Sequence, residues 1–212
     1  MFKTLFPFAL LVSMSVYAQP LPMGTIDVYF QQLSKGGVPD GCSLVFTTNV
    51  ADTAYLKGAQ VTMNGSIAVR SLDGKSLSFT GKLGTRTFEQ ADSKWVEPVY
   101  FYFSTKNGTS AGKGKVIAAE TQGYKLLIAN AFDESVMRLI VDIAHTGNFT
   151  VGFNRKTNGQ DVYSPVDVSV SLKQESDGAR IVKNLETKKD FEECFIQLLG
   201  DLKAKLNTKP SK

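Results

Sequence analysis

A single histidine, His145, limits the catalytic options of this chain. One imidazole cannot build a histidine-rich metal site or an H-E-x-x-H zinc helix, which needs two on one face. A Ser-His-Asp triad could use only His145 as its base. No G-x-S-x-G elbow accompanies it. Thr146-Gly147-Asn148 follows directly, so His145 reads as a surface turn residue.

Two acidic patterns come closer to chemistry. Asp52-Thr53-Ala54 approaches a D-[ST]-G loop, whose function needs two carboxylates about 3 Å apart sharing one proton. Thr47-Thr48-Asn49 is not the apolar strand such a loop follows, and Asp52 or Asn49 reads instead as the cap of a short helical turn. Glu89, Asp92 and Glu97, with Trp95 as a sugar platform, could supply a glycosidase pair. That reaction depends on a defined carboxylate separation, and acidic residues scattered around a loop are commonplace.

Gly108-Thr-Ser-Ala-Gly112-Lys113-Gly114-Lys115 has the look of a phosphate loop. It is one residue short between the glycines and lacks the hydroxyl that holds magnesium, so a flexible solvated loop is expected. Lys106, Lys113 and Lys115 could still touch an anionic surface polymer. Just before them stands Val99-Tyr100-Phe101-Tyr102-Phe103, aromatic on both faces. Burial on both sides fits a central strand. The other option turns Tyr100 and Tyr102 outward, where tyrosines offer contact area at little entropic cost. Tyr100, Tyr102, Lys106, Lys113 and Lys115 are thus the candidate binding surface. No catalytic residue, metal ligand set or cofactor is expected.

Cys42 and Cys194 carry the remaining reactive atoms, with no C-x-x-C and no metal spacing. Their meaning depends on compartment. Lys3, the apolar run from Leu5 to Met14 and Val16-Tyr17-Ala18 have the layout of a cleavable signal peptide over 1–18. The apolar run is shorter than the roughly 20 residues of a membrane span. In an exported chain the two cysteines read as one disulfide. Asn64, Asn107 and Asn148 begin N-x-[ST] triplets, which matter only where the source glycosylates.

Strands must position these groups. Period-two alternation runs through Ile26, Val28 and Phe30, then Ala59, Val61 and Met63, then Met137, Leu139, Val141 and Ile143. It continues through Phe149, Val151 and Phe153, and through Val166, Val168, Val170 and Leu172. Asn64-Gly65, Asp73-Gly74, Asn107-Gly108, Thr146-Gly147-Asn148 and Asn158-Gly159 separate the runs and suit tight turns. About 8–10 antiparallel strands in a β-sandwich or open barrel follow from this spacing. Residues 104–123 and 173–186 read as long loops. The stretch 97–104 resembles 164–171, which leaves a duplicated half open as an option.

Helical spacing occurs once, over about 188–206, where Phe191, Cys194, Phe195, Leu198, Leu199, Leu202 and Leu206 share one side. Thr187 is the expected N-cap, with Asp190 three residues on. A Cys42–Cys194 bridge would pin this amphipathic C-terminal helix to the sheet. Residues 207–212 read as a loose tail.

The chain has 212 residues, with 24 basic against 20 acidic, a net charge of +4 that falls by one when Lys3 leaves with the leader. So small an excess argues against nucleic acid, which demands a clustered basic face. One β-rich domain over 19–206, without a membrane span, is the expected mature protein. A non-enzymatic accessory or binding protein of the periplasm or extracellular space fits best, its partner a protein or a surface polymer. A small hydrolase with an unrecognised carboxylate site, or a secreted enzyme inhibitor, stands as the alternative.

Overall fold

A computed structural model of the chain describes residues 24, 26–53, 57–89, 92–95, 97–129, 132–154, 164–170, 172–174 and 181–207. A long meander forms first: β1 (Ile26–Lys35), β2 (Val38–Asp52), β3 (Ala59–Leu72) and β4 (Ser76–Glu89). After β5 (Asp92–Trp95) and β6 (Tyr100–Ser104) come β7 (Lys115–Ala118) and β8 (Tyr124–Ala129). Helix α1 (Glu134–Thr146) leads to β9 (Asn148–Asn154) and β10 (Ser164–Ser169), then β11 (Leu172–Gln174), β12 (Ile181–Lys183) and α2 (Leu185–Asn207). The strands make a seven-stranded antiparallel sheet ordered β1-β2-β3-β4-β8-β7 with β5 on β4, a three-stranded sheet β10-β9-β6, and the pair β11-β12. The architecture is mainly β, two antiparallel sheets with a C-terminal helix, as the alternation implied.

Phenylalanines join the sheets. Phe46 and Phe79 of the large sheet meet Phe103 of the small one edge-on, each at a centroid distance of 6.2 Å. Phe149 sits 5.5 Å from Phe46 in the same edge-on manner, a favourable geometry for aromatic quadrupoles. A Cβ on Gly81 of β4 would lie 2.5 Å from the Phe103 ring, so only glycine lets β6 approach here. Within the sheets, Phe46 lies over its cross-strand partner Gly65, Tyr124 over Gly84, and Tyr102 over Gly152. Each pair lets a ring cover a neighbouring glycine and pins register.

Asn64-Gly65 is therefore not a turn; it sits inside β3, where Gly65 makes room for Phe46. The β3–β4 turn is Asp73-Gly74-Lys75 between the paired Leu72 and Ser76, with Asp73 and Gly74 at positive φ (53° and 66°), as tight hairpin turns require. Asn49 and Asp52 cap no helical turn: both are buried in β2, and Asn49 Oδ1 accepts from Thr62 Oγ1 at 3.2 Å. Ala54 and Asn158-Gly159 lie outside the described residues. The two stretches expected as long loops hold β7 and most of the β11–β12 pair, so the described residues form twelve strands. The two similar stretches become β6 and β10, which flank β9 on either side and so meet similar surroundings.

The alternation over 137–143 misleads more seriously, because this segment is helix α1. Val136, Leu139, Ile140, Ile143 and Ala144 are its buried residues, at helical spacing. Leu139 and Ile143 satisfy both periods, so the outcome turns on Ile140 and Val141. Ile140 is fully buried and Val141 is 45% exposed. The helix ends are well specified: Asp133 caps the start by accepting from Val136 N at 2.9 Å, and Gly147 at φ 69° ends it in the left-handed conformation. The aspartate, the hydrophobics and the glycine together are the helix signal.

Helix α2 begins at Leu185, three residues before the expected start at 188. Asn184, not Thr187, sits at its start, with Oδ1 accepting from Thr187 N at 3.5 Å. The Thr187 hydroxyl points to the carbonyl of Val28 instead. Phe191, Phe195 and Leu198 are buried, whereas Leu206 is exposed, so the core stripe stops a turn short. Cys194 joins Cys42 with Cα atoms 6.0 Å apart and a separation of 152 residues. Closing so long a loop restricts the unfolded chain by roughly 5 kcal/mol in the chain-entropy picture. Among the described residues, no helix is long and apolar enough to cross a membrane.

Adjacent substitutions separate helix from strand at 137–143. Ile140→Ala should cost about 2–5 kcal/mol by urea denaturation, and Val141→Ala no more than about 0.5 kcal/mol. The reverse ranking would restore the strand.

Candidate functional site

Because Phe101 and Phe103 point into the core, Tyr100, Tyr102 and Ser104 face the opposite side of β6. The register extends that face across three strands. Tyr102 lies level with Gly152 of β9, and one step along come Ser104, Thr150 and Asp167. Asn148 and Ser169 form the next row. Tyr100 and Tyr102 are half-buried rather than enclosed on both sides.

The lower rows open into a cleft of about 520 Å³. Ser104, Thr150, Asp167, Asn148 and Ser169 line it from the sheet, Thr105, Lys106 and Asn107 from the loop after β6, and Asp142 and Thr146 from α1. Ile26, Phe149 and Val168 supply its apolar atoms. The volume falls within the range of small-ligand sites, about 300–1,000 Å³.

Asp142 holds the loop wall of the cleft. Its carboxylate accepts from Thr105 Oγ1 at 2.8 Å, Asn107 N at 3.1 Å and Asn107 Nδ2 at 3.0 Å. Burial pushes this carboxyl up, yet the Asn107 and Thr105 donors, with His145 nearby, hold it below its ordinary value. Opposite, Thr150 Oγ1 donates to Asp167 Oδ1 at 2.6 Å.

The loop from 105 to 114 is not the flexible segment its composition suggests. It turns back along the outer edge of β6, where Ser110 N donates to Phe103 O and Phe103 N to Ser110 Oγ. A Cβ on Gly108 would lie among α1 backbone atoms, 2.5 Å from Ser135 O, so the loop is pressed onto the helix. Every backbone N–H from 107 to 113 has a partner. Asn107 N donates to Asp142, Gly108 N to Thr105 Oγ1, Thr109 N to Ser135 Oγ and Ser110 N to Phe103 O. Ala111 N donates to Thr109 Oγ1, Gly112 N to the Tyr100 hydroxyl at 2.7 Å and Lys113 N to Ser110 O. A phosphate cradle needs such groups free, and this loop has spent them.

The five candidate surface residues therefore separate. Lys106 lines the cleft, and Tyr102 stands outside it, one register row from Ser104 and Thr150. Tyr100 braces the loop through Gly112, and Lys113 pairs with Asp133 at 3.0 Å. The Val136 N–H, and after it that partnership, hold Asp133 below its usual range. Lys115 belongs to β7, the edge strand of the other sheet.

Other chemical candidates are dispersed. His145 is exposed on the last turn of α1, not in a turn, beside a groove of about 230 Å³ that α1 and α2 line with Val141, Ile196 and Leu199. Glu97 pairs with Lys125 at 2.8 Å, and Glu89 and Asp92 are cross-strand partners closing the β4–β5 hairpin. The side chains of Glu89, Asp92 and Trp95 lie outside the described residues. All three sequon asparagines use their amides: Asn64 accepts from Thr47 Oγ1, Asn107 donates to Asp142, and Asn148 Nδ2 donates to Thr146 O. Among the described residues no three His, Cys, Asp or Glu side chains converge as a metal site.

Sequence reasoning missed Asp142, Thr150 and Asp167. The one available signal for Thr150 and Asp167 was the outward phase of two strands already assigned. Compared with protein-family models, curated proteins and solved structures, the chain matches none.

Since the folded-state value of Asp142 is depressed, its contribution is present at neutral pH and is lost as pH falls through that value. Asp142→Asn should lower stability at neutral pH by roughly 1–2 kcal/mol. The deficit should shrink in urea titrations below the ordinary aspartate range. A deficit independent of pH would contradict this role.

Proposed function

We propose that this chain is a non-enzymatic binding protein acting outside the cytoplasm, periplasmic or secreted. Its ligand lies in the cleft beside β6, β9 and β10. The observation carrying this reading is the cleft itself: hydroxyl, amide and carboxylate groups from three strands, a braced loop and a helix converge on one concavity of ligand size. Rigid elements hold them, so little ordering cost is left for the moment of binding. The disulfide fits an oxidising compartment, and the leader-like first residues remain the reason to expect export.

The hydrolase alternative would use the two cleft aspartates, Asp142 and Asp167. General acid catalysis by a carboxyl group requires a value raised toward neutrality. Asp142 shifts the other way and is committed to the loop. That chemistry favours recognition over turnover. Of the residues first singled out, Tyr102 and Lys106 would serve the surface directly, while Tyr100 and Lys113 would shape it from behind.

Immobilised protein should retain material from a cell-surface polymer fraction and release it at its original size. Lys106→Glu should lower retention several-fold, and Lys115→Glu should leave it unchanged. Shortened polymer in the eluate would overturn the binding reading in favour of hydrolysis. Equal losses in both variants would remove the cleft from the account.

A further inference from the structure

We infer that the cleft and the Tyr102 ring beside it form a site for a neutral, polyhydroxylated ligand, a short stretch of uncharged oligosaccharide. The inference rests on the binding role proposed above and names its ligand chemistry.

Three ligand classes fit poorly. An apolar molecule would cover the Ser104 and Ser169 hydroxyls and the Asp167 carboxylate, at about 1–3 kcal/mol for each group left unpaired. A phosphorylated, sulfated or uronic polymer would meet Asp142 and Asp167 against Lys106 alone, and the loop N–H groups that could cradle an anion are all engaged. A folded protein surface needs roughly 800 Å² on each partner with an apolar centre. This concavity is far smaller than that.

A sugar needs what remains. Its hydroxyls are each donor and acceptor, so they pair with a lining that mixes both kinds. Asp167, exposed and already oriented by the Thr150 hydroxyl, offers an acceptor that a pair of adjacent sugar hydroxyls can share. Lys106 supplies a donor from the opposite wall.

Tyr102 adds the second, independent feature. Its ring lies flat on the outer face of the sheet: a Cβ on Gly152 would come within 2.3 Å of Cζ, 2.4 Å of Cε1 and 2.6 Å of the hydroxyl oxygen. A flat, partly exposed ring therefore stands one register step, about 7 Å, from the Ser104–Thr150–Asp167 row. The negative π face of such a ring attracts the weakly positive C–H face of a pyranose. From Asn148 to Gly152 the surface extends about 13 Å along β9. Polar row and aromatic platform are then met by successive rings of one chain.

Purified full-length protein should be probed on an array of neutral and acidic oligosaccharides, and the best neutral binder titrated by calorimetry. Neutral structures should bind. Asp167→Ala and Tyr102→Ala should each weaken that binding at least tenfold, while Tyr102→Phe, which keeps the ring, should change it less than twofold. Asp167 is exposed, so its variant should keep the wild-type melting temperature even where Tyr102→Ala loosens the fold. Binding restricted to acidic glycans, or neutral binding indifferent to Asp167→Ala and Tyr102→Ala, would overturn the inference. A blank array together with polymer retention that Lys106→Glu abolishes would reject the sugar and keep the binding role. A blank array without such retention would reject both.

Discussion

Phe103 is the side chain on which the rest of the structure depends. Its ring lies edge-on to Phe46, Phe79, Phe101 and Phe149, at centroid distances of 5.8 to 6.2 Å. It belongs to both sheets' shared core, and it occupies space that Gly81 leaves open. Its backbone N–H and carbonyl hold Ser110, which ties the loop after β6 to the strand edge. Side chains alternate strictly along a strand, so an inward Phe103 obliges Tyr102 and Ser104 to face outward. One packing choice thus builds the sandwich, folds the loop and sets the outer surface.

Edge protection and the candidate site share the same atoms. The free edge of β6 would be a template for pairing with another chain. Here Thr109 and Ser110 cover it, and Asp142 and Ser135 of α1 hold that cover in place. The Cys42–Cys194 bridge secures α2 against β2 of the large sheet. A cleft bordered by a braced loop keeps its shape without a ligand, so the proposed recognition relies on preorganisation more than on contact area.

Much of the fold was legible because each inner face of a strand repeats with period two. Val28, Val61, Met63, Phe149, Val151 and Phe153 all face the core as their alternation required. The Cys42–Cys194 pairing followed from a compartment argument about thiols. Helix α1 was not legible from periodicity alone, because Leu139 and Ile143 fit both periods; only the Asp133 cap and Gly147 break the tie. Gly65 misled since its use is to seat Phe46, a partner 19 positions away whose register the sequence does not state. The cleft was hidden for the same reason. Ser104, Thr150 and Asp167 are ordinary residues on three strands, and only pairing makes them a row. The lysines show the converse: Lys106, Lys113 and Lys115 are close in sequence yet serve a cleft wall, an ion pair and the edge of another sheet.

Backbone amide spectra of isotope-labelled protein, recorded while a neutral oligosaccharide is added, test the central claim most directly. Shifts concentrated at 102–107, 148–152 and 167–169, with α1 moving only near Asp142 and Thr146, are the predicted result. Shifts centred on the α1–α2 groove around Val141 and Ile196, or on the outer face of the seven-stranded sheet, would contradict the account.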